Sequence, residues 1–557
     1  MLFVMKTYKV KQNILAILIM LNMLISFSSC QSDLNTAPLN APSTAMFWVD
    51  EASAKQVLMG VYQGSTGGSK GWGFTSYSGT YWMDLASDNA VNVLGLNTDY
   101  CNLTNGNLSA SNAIITNFWA GAYNKIMLAN DFLANIAQMT PVSISASSKA
   151  RMTAEARFLR AIEYFYLCQF YGRVPLVTKT LSVDEANNVK KAAAGEVEDF
   201  VTTELTAAAA DLPSFAAITG NDRGRASKQA ALAYLGRLQL SQKKFAEASA
   251  TYKKIVDAGE NKLSANFETL FTTDKFSSEN IYSLQFIAGA SYAGNTTDLP
   301  LHCLPAANSG QVGIDPYESL ATSYDFNDGT PFSYSDPRYK PDNLANQRDP
   351  RFAFTILYPG ASLGGKKYVS SPDSVKSKDR VSASGVLQAT KTGYCMRKYL
   401  PADGIMVTNY GGNIPLIRFA EVLLGYLEAE LEGSGTIDQT LLDNTINKVR
   451  SRTGVNMPRI TVTDKAALRP ILRKERRVEL ALEGIRLWDL KRWGILAQTM
   501  KGDFWGSPFP GTKTNLNLTT AIANPNSLWY VGKLDFQAGQ EMWPVPETEQ
   551  NINPNLR

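Results

Sequence analysis

The stretch SKQAALAYLGRLQLSQKKFAEASATYKKI, Ser227–Ile255, decides the fold class. Its first half is rich in small residues (Ala230, Ala231, Ala233, Gly236), which let a neighbouring helix approach closely. Its second half sets Phe245, Ala248, Tyr252 and Ile255 on one stripe at helical spacing. A short break at Ser241–Lys244 separates the two. This is a helix–turn–helix hairpin of tetratricopeptide type.

The same period recurs outward from that hairpin. Between Arg151 and Phe170, Phe158, Ile162 and Phe165, with Leu159, Tyr166 and Phe170, give a helix apolar over a wide arc and hence packed between neighbours. Ile417, Ala420, Leu424, Leu427 and Leu431 predict another long helix, ended by Gly433 and Gly435. A partner helix is expected over Leu441–Arg452 and a third over Pro470–Leu482. From about Phe271 to Gly412 the period is lost and Gly, Pro, Asn, Asp and Ser accumulate. The expected fold is mainly α, a tetratricopeptide-like scaffold of helix pairs with a loop-rich insertion containing short strands.

The amino terminus reads as an address. Lys6, Lys9 and Lys11 precede an apolar run from Ile14 to Phe27, too short to span a bilayer comfortably. Ser28 and Ser29 lead directly into Cys30, so residues 27–30 resemble a lipobox, with Cys30 as the lipidated residue. An ordinary secretory signal with a coincidental cysteine is the alternative. The division expected is a signal peptide over 1–29, a polar tether over 30–43 and an N-terminal helical part over 44–270. The insertion follows over 271–412, and a C-terminal helical part with a wrapping tail over 413–557.

Composition removes several function classes. The 557 residues contain one histidine, His302, so a histidine-based triad or zinc site has almost no material. The five cysteines form no CxxC and no close pair, which speaks against zinc or iron–sulfur sites. A net charge of +4 without a basic run is no footprint for nucleic acid. Glu475, Glu479 and Glu483 lie four apart on one helical face, with Arg476, Arg477 and Arg486 nearby. Paired carboxylates serve glycosidases, but carboxylates interleaved with arginines build structural ion-pair networks. The expectation is no catalytic residue and no enzyme.

Longer blocks carry a resemblance. Trp119, Tyr123, Ile126, Asn130, Phe132 and Leu133 come first, then EARFLRA over 155–161 and YGRVPL over 171–176. The insertion holds RDPRF over 348–352 and, further on, TGY over 392–394 and RKY over 397–399. RFAEVLL over 418–424, INKVRSR over 446–452, ERR over 475–477, EGIR over 483–486, DLKRWG over 489–494 and WPVP over 543–546 follow in order. In this joint order the chain resembles the SusD/RagB family, nutrient-binding outer-membrane lipoproteins of Bacteroidetes. The resemblance implies four tetratricopeptide-like helix pairs and a shallow ligand site lined by aromatics. It also implies a partner, a TonB-dependent SusC-like barrel, and an outer-membrane, cell-surface location through lipid on Cys30.

On this reading the ligand is an oligosaccharide. The loop Val91–Asn107 offers Asn97, Asp99 and Asn102 for sugar hydroxyls and Tyr100 as a stacking ring. It lacks the family's frequent tryptophan, which puts starch-like specificity in doubt. Trp72, with Phe74, Tyr77 and Tyr81, borders a glycine-rich segment, and Tyr292 and Tyr317, besides Tyr334 and Trp505, are further candidates. Each of these residues is equally readable as an ordinary loop residue or a core anchor. His302 beside Cys303 reads as structural, no metal ligand set is present, and whether a structural calcium supports the site stays open. The competing functions are a helical adaptor or lid with a peptide or protein ligand, and a surface glycoside hydrolase.

Overall fold

The computed structural model describes residues 48–64, 73–291, 296–382, 389–403, 405–518 and 523–557. Helix dominates, and one hydrophobic cluster runs from Ala54 to Leu556. The scaffold comprises α1 (Glu51–Gln63), α2 (Ala113–Gln138), α3 (Ala146–Tyr171), α4 (Glu196–Asp211), α5 (Lys228–Ser241) and α6 (Phe245–Ala258), continued by α7 (Phe419–Glu432) and α8 (Lys465–Leu480). From α2 onward each helix packs on the next, so α6 and α7 meet although about 160 residues separate them.

Local chemistry explains these elements. Ser145 and Ser227 cap α3 and α5 by accepting hydrogen bonds from the Ser148 and Ala230 amides. All the α5 side chains from Gln229 to Leu240 are buried, the all-round packing expected of a central helix. Gly236 is where α6 comes closest: a Cβ there would stand 2.6 Å from the Tyr252 ring. The hairpin foreseen at Ser227–Ile255 is therefore α5 and α6, broken at Gln242–Lys244.

Two helix boundaries differ from expectation. Leu441–Arg452 is two short helices, Gln439–Asn444 and Ile446–Arg450, because Thr445 leaves helical geometry at φ −124°, ψ −98°. α8 starts before Pro470, with Asp464 accepting from the Ala467 amide as its cap. Pro470, the sixth residue of α8, forfeits one backbone bond to the preceding turn, and the Asp464 cap separately satisfies the helix terminus.

The strands are short and antiparallel. β1 (Ala90–Asn92) pairs with β3 (Ile314–Pro316), β2 (Asn280–Leu284) with β4 (Ile414–Arg418), and β5 (Lys501–Pro508) with β6 (Leu528–Asp535). β4 runs directly into α7, so the β2–β4 pair ties the start of the loop-rich region to the scaffold.

The interior between them is ionic. Glu479, 0% exposed, accepts from Arg418 at 3.1 Å, Arg452 at 3.0 Å and Arg351 at 2.9 Å. Glu475 accepts from Arg351 and Arg450 at 2.6 and 2.7 Å, and Glu483 from Arg418 and Lys398. Glu279, just before β2, takes Arg418 and Arg452 as well. The carboxylate row is a structural network. Its partners come from the insertion, from β4 and from Arg450 and Arg452, not from Arg476, Arg477 and Arg486, since side chains adjacent in sequence leave a helix on different faces. Burial alone would raise the Glu479 pKa, but Arg452, Arg418 and Arg351 overcome it and hold the carboxyl far below its ordinary range.

Arg418→Met should cost about 3–5 kcal/mol, because it takes one cationic partner from each of three buried carboxylates, Glu279, Glu479 and Glu483. Urea unfolding checks it, and a loss under about 1 kcal/mol would contradict the network's role. A second expectation concerns pH. Burial pushes Glu318 up from 4.5 to about 7, while hydrogen bonds from Tyr334 and Tyr394 partly oppose it. The fold holds this proton more tightly than the unfolded chain does. Its contribution is full below pH 4.5 and falls as pH rises through about 7. Glu318→Gln should flatten the decline of melting temperature across that window.

Candidate functional site

The face on which the candidate residues converge is built on two 3₁₀ turns, Tyr77–Gly79 and Tyr81–Ala86. Tyr81 is fully buried, and Tyr77 and Trp82 are half-buried. The Trp82 ring stacks on Tyr100 with centroids 6.0 Å apart and planes at 20°. His302 meets Trp82 edge-on at 5.7 Å. The His302 Nδ1 lies 3.2 Å from the Gln311 Oε1, and burial pushes the imidazole pKa down, so the ring is neutral at pH 7.

A clamp below holds this turn. Asp84, two residues past Trp82, accepts from the Gly484 amide at 2.6 Å and from the Asn89 side chain at 2.6 Å. Gly484 sits at φ +78°, and a Cβ there would fall 2.2 Å from the Thr80 carbonyl oxygen, so only glycine fits. Burial raises the Asp84 pKa to about 6 against the pull of these hydrogen bonds. Asp88 takes Arg486 at 2.7 and 3.0 Å and Arg477 at 3.0 Å; burial opposes its ionisation, and the two arginines hold it down at about 2. Arg477 and Arg486 thus anchor the Trp82 turn rather than the carboxylate row, while Arg476 pairs with Asp489.

The expected site residues divide. Asn97 and Asp99 are exposed beside Tyr100, while Asn102 is half-buried and accepts from Asn105 at 2.8 Å. Tyr100 is 7% exposed, donates to the Ser78 carbonyl at 2.8 Å and lies behind Trp82. It backs the platform instead of offering a face. Tyr317 is a correction: it is 2% exposed and packs against Phe504 at 4.8 Å, because the β1–β3 pairing draws it into the core. Tyr334 donates to buried Glu318, and Trp505 meets Tyr530 edge-on in the β5–β6 hairpin. Trp72, Tyr292 and Cys30 lie outside the described residues. The reading of the sequence missed Trp82 and the tie between Trp82 and His302; the adjacent Tyr81-Trp82 pair, four and five residues past Tyr77, was the available signal.

The arrangement suits binding. A half-buried tryptophan held by two neighbouring rings can offer apolar surface at little entropic cost, and the Asn97 and Asp99 side chains lie in the same loop as Tyr100. Among the described residues no group of three His, Cys, Asp or Glu side chains is placed to hold a metal ion. No described helix is long and apolar enough to cross a membrane.

A helical scaffold of tetratricopeptide type, with short-stranded loops that carry an aromatic surface, is the class these features define. The chain belongs to the SusD family, whose model matches residues 278–557; a second model, described as starch-binding and associating with the outer membrane, matches residues 40–240. It is similar to the solved structure of a SusD-like carbohydrate-binding protein from Bacteroides fragilis, at 43% identity over 92% of this chain and 100% of that one, with a TM-score of 0.86. A SusD-like protein of Formosa agariphila is 24% identical over 97% of both chains. A laminarin-binding SusD-like protein shares the fold at 24% identity over 90% of this chain and 98% of that one, with a TM-score of 0.65.

Tyr100→Ala should therefore act on stability, at about 3–5 kcal/mol for a deleted core ring. Asp99→Ala, on the exposed side, should leave the melting temperature within a degree or two. Equal effects of the two changes would contradict the placement of Tyr100 behind Trp82.

Proposed function

We propose that the protein captures an oligosaccharide on the Trp82 face and releases it unchanged to a TonB-dependent, SusC-like barrel. The observation that carries this reading is the half-buried Trp82, pinned by Tyr100 and His302, in a chain 43% identical to a SusD-like carbohydrate-binding protein. Stacking plus a few hydrogen bonds corresponds to dissociation constants from micromolar to millimolar, about −8 to −4 kcal/mol. Such affinity suits a protein that must hand its cargo on.

The anchoring belongs to the same reading. Lipidation at Cys30 would place the anchor 18 positions before Trp48, which packs on Phe132 of α2 at 5.5 Å. Several acyl chains on one cysteine give a lasting anchor, and the family's outer-membrane association supports a cell-surface location. The three acids weighed as a hydrolase set, Glu475, Glu479 and Glu483, all lie in buried ion pairs, which supports the reading of binding without cleavage.

A glycan array probed with the mature protein and with Trp82→Ala tests the proposal. The expected result is saturable binding to one glycan class, weakened at least about tenfold by the substitution, with no shorter saccharide released. Silence across the array, together with capture of peptides by the same face, would replace the glycan reading with the adaptor one.

A further inference from the structure

A cavity of about 290 Å³ opens where the segment between α4 and α5 meets β2. It shares no lining residue with the Trp82 face. Two rings border it, half-buried Phe215 and 50% exposed Phe276. Arg223, also in the lining, holds its guanidinium 5.7 Å from the Phe276 ring centroid and has no carboxylate partner among the described residues. Lys275 likewise has no carboxylate beside it; its Nζ donates to the Phe286 carbonyl, and burial holds its pKa below the ordinary value.

Two further charged side chains line the cavity, and of these Arg225 has ionic partners whereas Glu260 keeps its negative charge. Arg225 is neutralised by Glu155 and Asp222. Glu260 accepts from the Ala216 amide at 2.7 Å and from Gln229 at 3.1 Å. The net character of the cavity is cationic. Asn280 in its wall is 7% exposed, with neither amide atom hydrogen-bonded among the described residues, an unfavourable state that a polar ligand can relieve. Gln285 is held at the opposite end by Asn413 at 2.7 Å.

Aromatic rings beside unpaired cations and a spare amide select a ligand with an apolar ring face, hydroxyls and a negative charge. We propose that this cavity is a second saccharide site, taking a sugar unit that bears an anionic substituent such as a uronate carboxylate. Arg223 and Lys275 meet the carboxylate, Phe276 packs on the ring, and Asn280 serves the hydroxyls. A volume near the lower end for ligand pockets limits the site to about one sugar residue of a longer chain. The site needs nothing from the Trp82 face and stands or falls independently of it.

Calorimetric titration of the mature protein with digalacturonate tests this. Galactobiose serves as the neutral counterpart and sodium sulfate as the bare anion. Arg223→Gln and Phe276→Ala change exposed side chains, and a thermal melt verifies that both variants fold. Digalacturonate should bind at least about tenfold more tightly than galactobiose, weaken about tenfold in Arg223→Gln and several-fold in Phe276→Ala, and weaken with added salt. Trp82→Ala should leave it unchanged. The proposal is overturned if wild type does not bind digalacturonate, or if Arg223→Gln binds it as wild type does. Loss of binding in Trp82→Ala would overturn it too, by placing the acidic sugar on the other face. So would sulfate competing as well as the disaccharide, since that marks a plain anion site.

Discussion

Three carboxylates on the last turns of one helix and just beyond it, Glu475, Glu479 and Glu483, organise the interior of this protein. They are buried, and five cations from distant parts of the chain converge on them: Arg351 and Lys398 from the insertion, Arg418 from the end of β4, Arg450 from the end of the short helix Ile446–Arg450 and Arg452 from just past it. Bringing so much charge out of water is costly and is offset only when every partner is in place. The network therefore admits one arrangement of insertion against scaffold. That selectivity, more than net stabilisation, is what a buried ionic cluster provides here, while the apolar surface between successive helices supplies the driving force.

The same segment reaches the site. Directly after Glu483, Gly484 donates its amide to Asp84 and Arg486 clasps Asp88. Asp84 lies within the turn that presents Trp82, and Asp88 lies two residues past its end. Two or three contacts thus separate the ionic core from the aromatic surface. Tyr100 behind the indole and His302 at its edge complete a rigid support. Rigidity matters for a shallow sugar site, where each ring ordered on binding subtracts from a small favourable total.

The sequence made the helices legible where apolar spacing was long and regular, as in α3, α5, α6 and α7. Boundaries failed where one residue decided them: Thr445 breaks a helix whose periodicity runs through it, and an Asp464 cap carries α8 past Pro470. The carboxylate face was readable from its four-residue spacing, but its partners were not, because they arrive from 25 to 128 positions away. Site residues were harder still. Tyr100 and Tyr317 look like exposed loop aromatics, yet strand pairing and a carbonyl acceptor draw both inward. Trp82 carries no local mark of its role, since what makes it a platform is the tertiary placement of Tyr100 and His302. Family resemblance supplied the expectation of an aromatic site without saying which ring stands at its front.

The most direct test of this account is a crystal structure of the mature protein soaked with the glycan that binds it best. The account predicts a pyranose ring stacked within about 4 Å of the Trp82 indole, with Tyr100 still hydrogen-bonded behind it and the glycan intact. A glycan bound elsewhere on the scaffold while the Trp82 ring stays uncovered would contradict it.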